Sequence, residues 1–360
     1  MKAIIFAGGV GTRLWPLSRK NSPKQFEKVI GDKSTLQLAV ERLLPDFGWD
    51  DIYISTSQKY IFLVKEQLPK IDISHIIAEP EGRDVGPAVG LAIANIVKKF
   101  PAEPLVILWS DHIVKNNSLF KKILNSCAEI ISQNSNKLIF ISQKPRFASQ
   151  NLGWIEYGNK KLSQRGFNFY DFKSFNYRPD LIMASEFLKS GYHAWNIGYF
   201  VTTASFLWQL FKLYQPEMYK ILREIQNLVG SDKYESSLDK LYKSIPKISF
   251  DNAILEKIKK EDAYVIAENL GWSDVGAWEA LKEALQSDPS QNVTSGKVLV
   301  TDCRDTLVYN YTDQMVVTID LDGYLVINTK DVVLVCHKNS VPKIKKLVEN
   351  LADSKNEHLV

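Results

Sequence analysis

The sequence predicts an α/β domain followed by a small β-rich domain, and three observations carry that expectation. Up to about residue 150, short apolar runs alternate with helical periodicity. The polar, proline-containing stretch Gln286-Ser287-Asp288-Pro289-Ser290-Gln291-Asn292 then breaks the pattern. Beyond Lys297 the chain changes to brief β-branched runs punctuated by Asp, Asn and Gly. The expected domains are therefore residues 1–285 and 286–360.

Residues 2–7, 52–55, 75–78, 105–109 and 137–142 read as buried strands, each bounded by turn-forming residues. A helix opens at Ser34, with Gln37 three residues on as a capping box, and runs through Leu36, Val40 and Leu43 to stop near Pro45. Another starts at Gly86-Pro87, where proline suits a first turn, and continues through Leu91, Ile93 and Val97. Such alternation favours a mostly parallel sheet whose ligands bind beyond the carboxyl ends of the strands. From Gly153 to about Trp278 the chain is rich in aromatic residues and its elements cannot be ordered from pattern. In the tail, residues 298–300, 307–308, 315–319, 324–327 and 332–335 read as short strands of a β-solenoid or a sandwich, with a last helix over 341–351.

A chain of 360 residues, 45% of them hydrophobic, can bury one large core and a smaller one. Its 45 Lys and Arg against 41 Asp and Glu leave a net charge of +4 without a basic block. That balance argues against nucleic acid or a membrane surface as partner and for a small-molecule substrate. Cys127, Cys303 and Cys336 are far apart with no CxxC, so neither a disulfide framework nor a zinc site is expected. The apolar run after Lys2 is too brief for a signal-peptide core or a membrane span, and a cytoplasmic location is the expectation.

The segment richest in chemistry is Phe6-Ala7-Gly8-Gly9-Val10-Gly11-Thr12-Arg13-Leu14-Trp15-Pro16-Leu17-Ser18, with Pro23-Lys24-Gln25-Phe26 close behind. Its glycines let the backbone turn successive N–H groups into a concavity for phosphate oxygens, and Arg13 and Lys24 supply the opposing charge. No Gly-Lys-Ser/Thr completes a Walker loop, and Gly9-Val10-Gly11 lacks the third glycine of a dinucleotide fingerprint. The segment reads as a triphosphate cradle.

These residues resemble the signature of the mannose-1-phosphate guanylyltransferases, also called GDP-mannose pyrophosphorylases, a family of sugar nucleotidyltransferases. Further blocks resemble the family in its order: Glu79-Pro80-Glu81-Gly82-Arg83-Asp84-Val85-Gly86-Pro87-Ala88, Ser110-Asp111-His112, Ala194-Trp195-Asn196-Ile197-Gly198, Phe250-Asp251-Asn252-Ala253 and Gly271-Trp272-Ser273-Asp274-Val275-Gly276. The resemblance implies a Rossmann-like, GT-A-like mixed sheet flanked by helices, with a short left-handed β-helix behind it. Some members carry a fused isomerase domain, for which this chain ends too soon.

The activity so implied is transfer of GMP from GTP to mannose 1-phosphate, with Mg²⁺ as cofactor and pyrophosphate as leaving group. Catalysis then falls to Arg13, Lys24, Asp111 and Asp274, the two aspartates also holding the metal, since magnesium commonly takes one or two carboxylates together with substrate phosphates. The nucleotide site so implied comprises Ala7, Gly8, Gly9, Gly11 and Thr12, with Glu79, Arg83, Gly86 and Pro87. Glu79 is the candidate reader of guanine, because a carboxylate accepts from both N1–H and the exocyclic amine. Gly153, Arg178 and Asn196 form the sugar-phosphate set, with Trp195 as an apolar wall. His112 reads as structural, because a phosphate nucleophile already charged at neutral pH needs no general base.

Phe175-Asn176-Tyr177-Arg178-Pro179 stands where the family usually has Glu-Lys-Pro, and a planar guanidinium is not equivalent to an ammonium at a tight site. Two alternatives therefore stand beside the main reading: the same chemistry on another sugar 1-phosphate or nucleotide, and a catalytically weak regulatory subunit that binds nucleotide sugars. An open solenoid end suggests a homodimer.

Overall fold

The computed structural model describes residues 1–9, 11–352 and 354–360; Val10, inside the glycine motif, and Asp353 lie outside the described residues. The chain packs into two units, neither contiguous in sequence. Met1–Gly8, Val40–Trp109 and Lys115–Gly271 form the first, and Gly9–Ala39, Ser110–Val114 and Trp272–Val360 the second.

The first unit is built on a nine-stranded sheet. Its order is Ile76–Glu79, Ile52–Ser57, Lys2–Phe6, Pro104–Trp109, His193–Thr203, Leu138–Gln143, Ala263–Glu268, Phe167–Tyr177, Gly153–Gln164. All five strands expected before residue 150 are present, and the first four in this order run parallel. The expectation of a mostly parallel sheet is met: Leu138–Gln143 and Ala263–Glu268 also pair in parallel, and in this sheet only His193–Thr203 and Phe167–Tyr177 run against the other seven strands. His193–Thr203 runs antiparallel to both of its central neighbours. Gly153–Gln164 and Phe167–Tyr177 form a hairpin whose two-residue turn, Arg165-Gly166, has positive φ at both positions. A turn of that kind returns the chain only antiparallel, so the sheet is mixed.

The helix Val85–Ile96 explains why the Gly86-Pro87 signal was readable. Asp84 caps it, its carboxylate accepting the Val85 N–H at 2.7 Å, and Pro87 falls in the first turn, where its missing N–H costs nothing. Almost every residue of this helix is buried, so it is a core element clad on all sides. Each large aliphatic side chain it hides contributes roughly 1.5–3 kcal/mol.

In the second unit the capping box forms as expected. The Ser34 hydroxyl accepts from the Gln37 N–H at 3.2 Å, and the Gln37 side chain accepts from the Ser34 N–H at 3.0 Å. The tail is a β-helix-like stack. Val293–Ser295, Leu307–Asn310 and Tyr324–Asn328 pair in parallel, Val298–Thr301 pairs in parallel with Val316–Ile319, and Val333–His337 closes the stack antiparallel. Parallel neighbours from successive turns of one chain decide for the solenoid over the sandwich. Val298 faces Val316 and Asn310 faces Asn328, steps of 18 residues (316 − 298 and 328 − 310), whereas Val293 faces Leu307 after only 14. That uneven step hides the repeat from sequence inspection. Asn328 donates to the Asn310 side chain at 2.9 Å, tying two buried polar rungs.

Leu14, Trp15 and Val29 from the cradle segment share one hydrophobic cluster with Trp278, Leu307, Leu325 and Ile344. The Trp278 indole donates to the Trp15 carbonyl at 2.9 Å, and Arg19 grips Asp331 through two bonds of 2.6 and 2.7 Å. The β-rich tail is thus the support on which the segment carrying Arg13 and Lys24 is packed. No helix among the described residues is long and apolar enough to cross a membrane. Cys127 is buried, and all three thiols are free.

Candidate active site

The charged centre lies within the second unit. Gly11, in the left-handed region at φ 68°, caps a short helix Thr12–Leu14 that presents Arg13, and a second short helix, Lys24–Phe26, presents Lys24. Asp111 stands just before the strand His112–Val114, which pairs antiparallel with Trp272–Asp274. Asp274 faces His112, and the Val275 N–H donates to the Asp111 carbonyl at 3.2 Å. This pairing brings together two aspartates that are 163 positions apart (274 − 111).

Lys24 Nζ lies 2.5 Å from Asp111 Oδ2, with its side chain only 11% exposed. Burial disfavours the ammonium, but Asp111 and then Asp274 outweigh it and hold Lys24 above its ordinary value, with Arg13 pulling the other way. Burial likewise opposes the Asp111 charge. Lys24 and His112 overcome it and keep this carboxyl well below the usual carboxylate range. His112 has its Nε2 3.9 Å from Asp111 Oδ1 and its ring edge-on to Trp272 at 5.0 Å, a position that shapes the carboxylate's field.

Two glycines make this convergence sterically allowed. A Cβ at Gly11 would sit 2.6 Å from Lys24 Cδ, and one at Gly276 would sit 3.0 Å from both Arg13 Nη2 and Asp274 Oδ1. Gly11→Ala is therefore expected to strain the backbone by about 1–3 kcal/mol and to push the Lys24 stem aside. The check is kcat, which should fall at least tenfold while KM changes little. A variant as active as the parent would show that the Lys24 position is not critical.

A divalent cation fits this centre. Asp274 Oδ1 is a buried acceptor with no hydrogen-bond partner in the structure, and it stands beside a carboxylate held ionised. Among the described residues no group of three or more His, Cys, Asp and Glu is placed to hold a metal. A pair of aspartates is the donor set for a hard cation that completes its shell with substrate oxygens and water.

The base and sugar candidates lie in the first unit. Ala7 is buried, its N–H donated to Ser55 O at 2.7 Å and its carbonyl accepting from Thr56 Oγ1 at 2.8 Å; Gly8 beside it is exposed. Gly86 and Pro87 are buried as well. The Gly86 N–H bonds Ile248 O at 2.9 Å, and a Cβ there would meet that oxygen at 2.7 Å, so Gly86 seats the helix against a neighbouring backbone. Glu79 ends its strand half-buried. Burial pushes its carboxyl up to about 7, against the pull of the Tyr242 hydroxyl, which donates to Oε2 at 2.6 Å. Arg83 is ion-paired with Glu81.

Gly153 pairs directly with Asn196 on one side and with Tyr177 on the other, so three strands align two of the sugar candidates in one row, and Arg178 follows one residue beyond it. A Cβ at Gly153 would lie 3.0 Å from Phe175 Cζ and 3.3 Å from Asn196 Cβ, so a larger residue would have to displace the Phe175 ring. Arg178, just past its strand at φ 48°, is exposed with its guanidinium 5.0 Å from the Tyr177 ring centroid. Trp195, expected as an apolar wall, is 1% exposed and packs on Phe147 and Trp154. It is a core residue, because its strand sends Trp195 into the interior and leaves Asn196 half-buried.

Two residues at these sites carried no role in the sequence reading. Asp251 accepts from Asn196 Nδ2 at 3.4 Å; burial pushes its carboxyl up, Glu256 and Asp84 add to that, and Arg178 opposes it. The matching Phe250-Asp251 block was the available signal. Tyr242 had none, since nothing in Leu241-Tyr242-Lys243 departs from an ordinary amphipathic helix.

Similarity to known proteins gives the class first. Residues 2–291 match the family model described as Nucleotidyl transferase, and residues 296–351 match the MannoseP isomerase/GMP-like beta-helix domain. A mannose-1-phosphate guanylyltransferase of Salmonella muenchen is 33% identical over 99% of this chain and 74% of its own length. Mannose-1-phosphate guanylyltransferase 2 of Escherichia coli O157:H7 is 31% identical over 97% and 73%. A solved structure described as mannose-1-phosphate geranyltransferase from Thermus thermophilus has a TM-score of 0.86 at 28% identity, covering 97% of this chain and 98% of that one. The chain belongs to the mannose-1-phosphate guanylyltransferase family of sugar nucleotidyltransferases.

Proposed function

We propose that this chain transfers GMP from GTP to mannose 1-phosphate, giving GDP-mannose and pyrophosphate by in-line displacement at the α-phosphate. The observation that carries the proposal is the Lys24–Asp111 contact of 2.5 Å with Asp274 in the same field: a cation and two carboxylates assembled from distant segments. An oxygen of the sugar phosphate is already a charged nucleophile, so the protein's work is positioning and charge neutralisation. Arg13, Lys24 and the amides of Gly8, Gly9, Gly11 and Thr12 take the phosphates in this reading. Glu79 and Arg83 take the base, and Gly153, Arg178 and Asn196 the sugar phosphate. Mg²⁺, when held by Asp111 and Asp274, supplies positive charge to the polyphosphate oxygens.

We assign chemistry to residues 1–285 and support to residues 286–360; one family model spans 2–291 and the other 296–351. A cytoplasmic site of action follows from the nature of the substrates. Leu299, Val317 and Ile319 project exposed from the paired strands of the tail and favour a homodimer, which sedimentation at single-chain mass would exclude.

The testing experiment is pyrophosphate release with GTP, Mg²⁺ and a panel of hexose 1-phosphates. Mannose 1-phosphate is expected to give the highest kcat/KM. A different preferred sugar would favour the alternative motivated by Tyr177 and Arg178, and silence across the panel would favour the regulatory subunit.

A further inference from the structure

We propose that Tyr242 is a specificity-determining residue: its hydroxyl holds Glu79 as an aimed carboxylate that accepts the two donors on guanine's pairing edge and rejects adenine. This inference rests on the reading of Glu79 as the guanine contact and names the group that makes such a contact workable.

Tyr242 lies on the helix Tyr234–Lys243, fully buried, 163 positions along the chain from the carboxylate it serves. The 2.6 Å O···O distance lies at the short end of O–H···O bonds, within the range of a charge-assisted bond to a carboxylate. The tyrosine is the donor at neutral pH, because burial and then the Glu79 charge push its phenol far above its ordinary value. Without that proton, Glu79 would be a half-buried acid with nothing to oppose its desolvation. The remaining charges around the pair are Glu81 and Arg83, ion-paired with each other, and Lys243 on the helix, engaged by Asp239.

A carboxylate has about four lone-pair sites. One, on Oε2, is taken by Tyr242, and the others suffice for guanine N1–H and the exocyclic amine. Protonation inverts the preference. A neutral carboxyl offers one donor and one acceptor, the pattern that complements adenine N1 and N6, and it repels the guanine N1–H. The ionisation of Glu79 therefore sets the choice of base, and Tyr242 holds that ionisation in place.

The experiment measures kcat/KM for GTP and for ATP between pH 5.5 and 8.5 in the parent, Tyr242→Phe, Glu79→Gln and the double variant. The GTP/ATP ratio cancels every ionisation of the shared triphosphate and sugar phosphate. In the parent the ratio is expected to fall as pH drops through about 7. In Tyr242→Phe the fall should move up by about one pH unit, costing about tenfold in selectivity at pH 7 and regained at alkaline pH. In the Glu79→Gln background the tyrosine change should add nothing. A Tyr242→Phe profile that superimposes on the parent while Glu79→Gln loses selectivity overturns the role of Tyr242 alone, as does a loss that alkaline pH does not restore. Full selectivity in Glu79→Gln overturns the reading of Glu79 and this inference with it.

Discussion

Asp111→Asn is expected to lower kcat for pyrophosphate release by about a thousandfold and to weaken the dependence on added Mg²⁺. The amide keeps the shape of the side chain and removes its charge. Lys24, at 2.5 Å, then loses its principal partner in a poorly solvated position, and the metal loses one of two anionic ligands. Breaking a largely buried pair by removing one member costs about 3 kcal/mol of stability at neutral pH, which chemical denaturation reads. The pH dependence has a definite sign. The Asp111 carboxyl is depressed in the folded state, so its contribution is complete above the ordinary carboxylate range and disappears as pH falls through the folded value. The parent and the variant should therefore converge in stability in strong acid. An equal gap at every pH would mean that Asp111 is not the charged partner of Lys24.

Lys24→Met should lower kcat by about a hundredfold to a thousandfold, but with the opposite effect on the metal. Removing the ammonium leaves the Asp111 and Asp274 carboxylates without their buried cation, with the more exposed Arg13 and the His112 ring as the neighbouring groups. Lys24 is the largest of the influences that lower the Asp111 carboxyl, which should accordingly rise. Two uncompensated carboxylates bind a divalent cation more tightly, so apparent Mg²⁺ affinity should increase while turnover falls. The two variants thus separate a residue that holds the metal from one that neutralises phosphate. A parallel loss of metal affinity in both would contradict that division.

Much of this was legible in the sequence because local rules and tertiary packing agree there. The five apolar strands lie in the sheet with their ends shifted by no more than two residues, Ser34 and Gln37 form their capping box, and Pro87 sits where a helix tolerates it. The hairpin over 153–177 was not legible. Gly153–Gln164 is buried at its start and solvated towards its end, and Phe167–Tyr177 buries only Phe169 and Phe172, so neither an alternating nor a continuous apolar pattern runs through them. From pattern alone the tail's solenoid was one of two options, since its 14-residue step spoils the 18-residue period, and the family resemblance supplied the choice. At the site, motif blocks pointed to Asp111, Asp274, Arg13 and Lys24. The direct Lys24–Asp111 pair, the cover of Tyr242 over Glu79 and the position of Asp251 beside Asn196 depend on contacts between remote segments, which no local pattern encodes.

The central claim is that Asp111 and Asp274 act as one unit on one charge. A double-mutant cycle in kcat with Asp111→Asn, Asp274→Asn and the pair tests it most directly. The double variant is expected to be no slower than the slower single variant, because either substitution already dismantles the shared centre. Losses that multiply, with each aspartate costing its full factor in the absence of the other, would contradict the account.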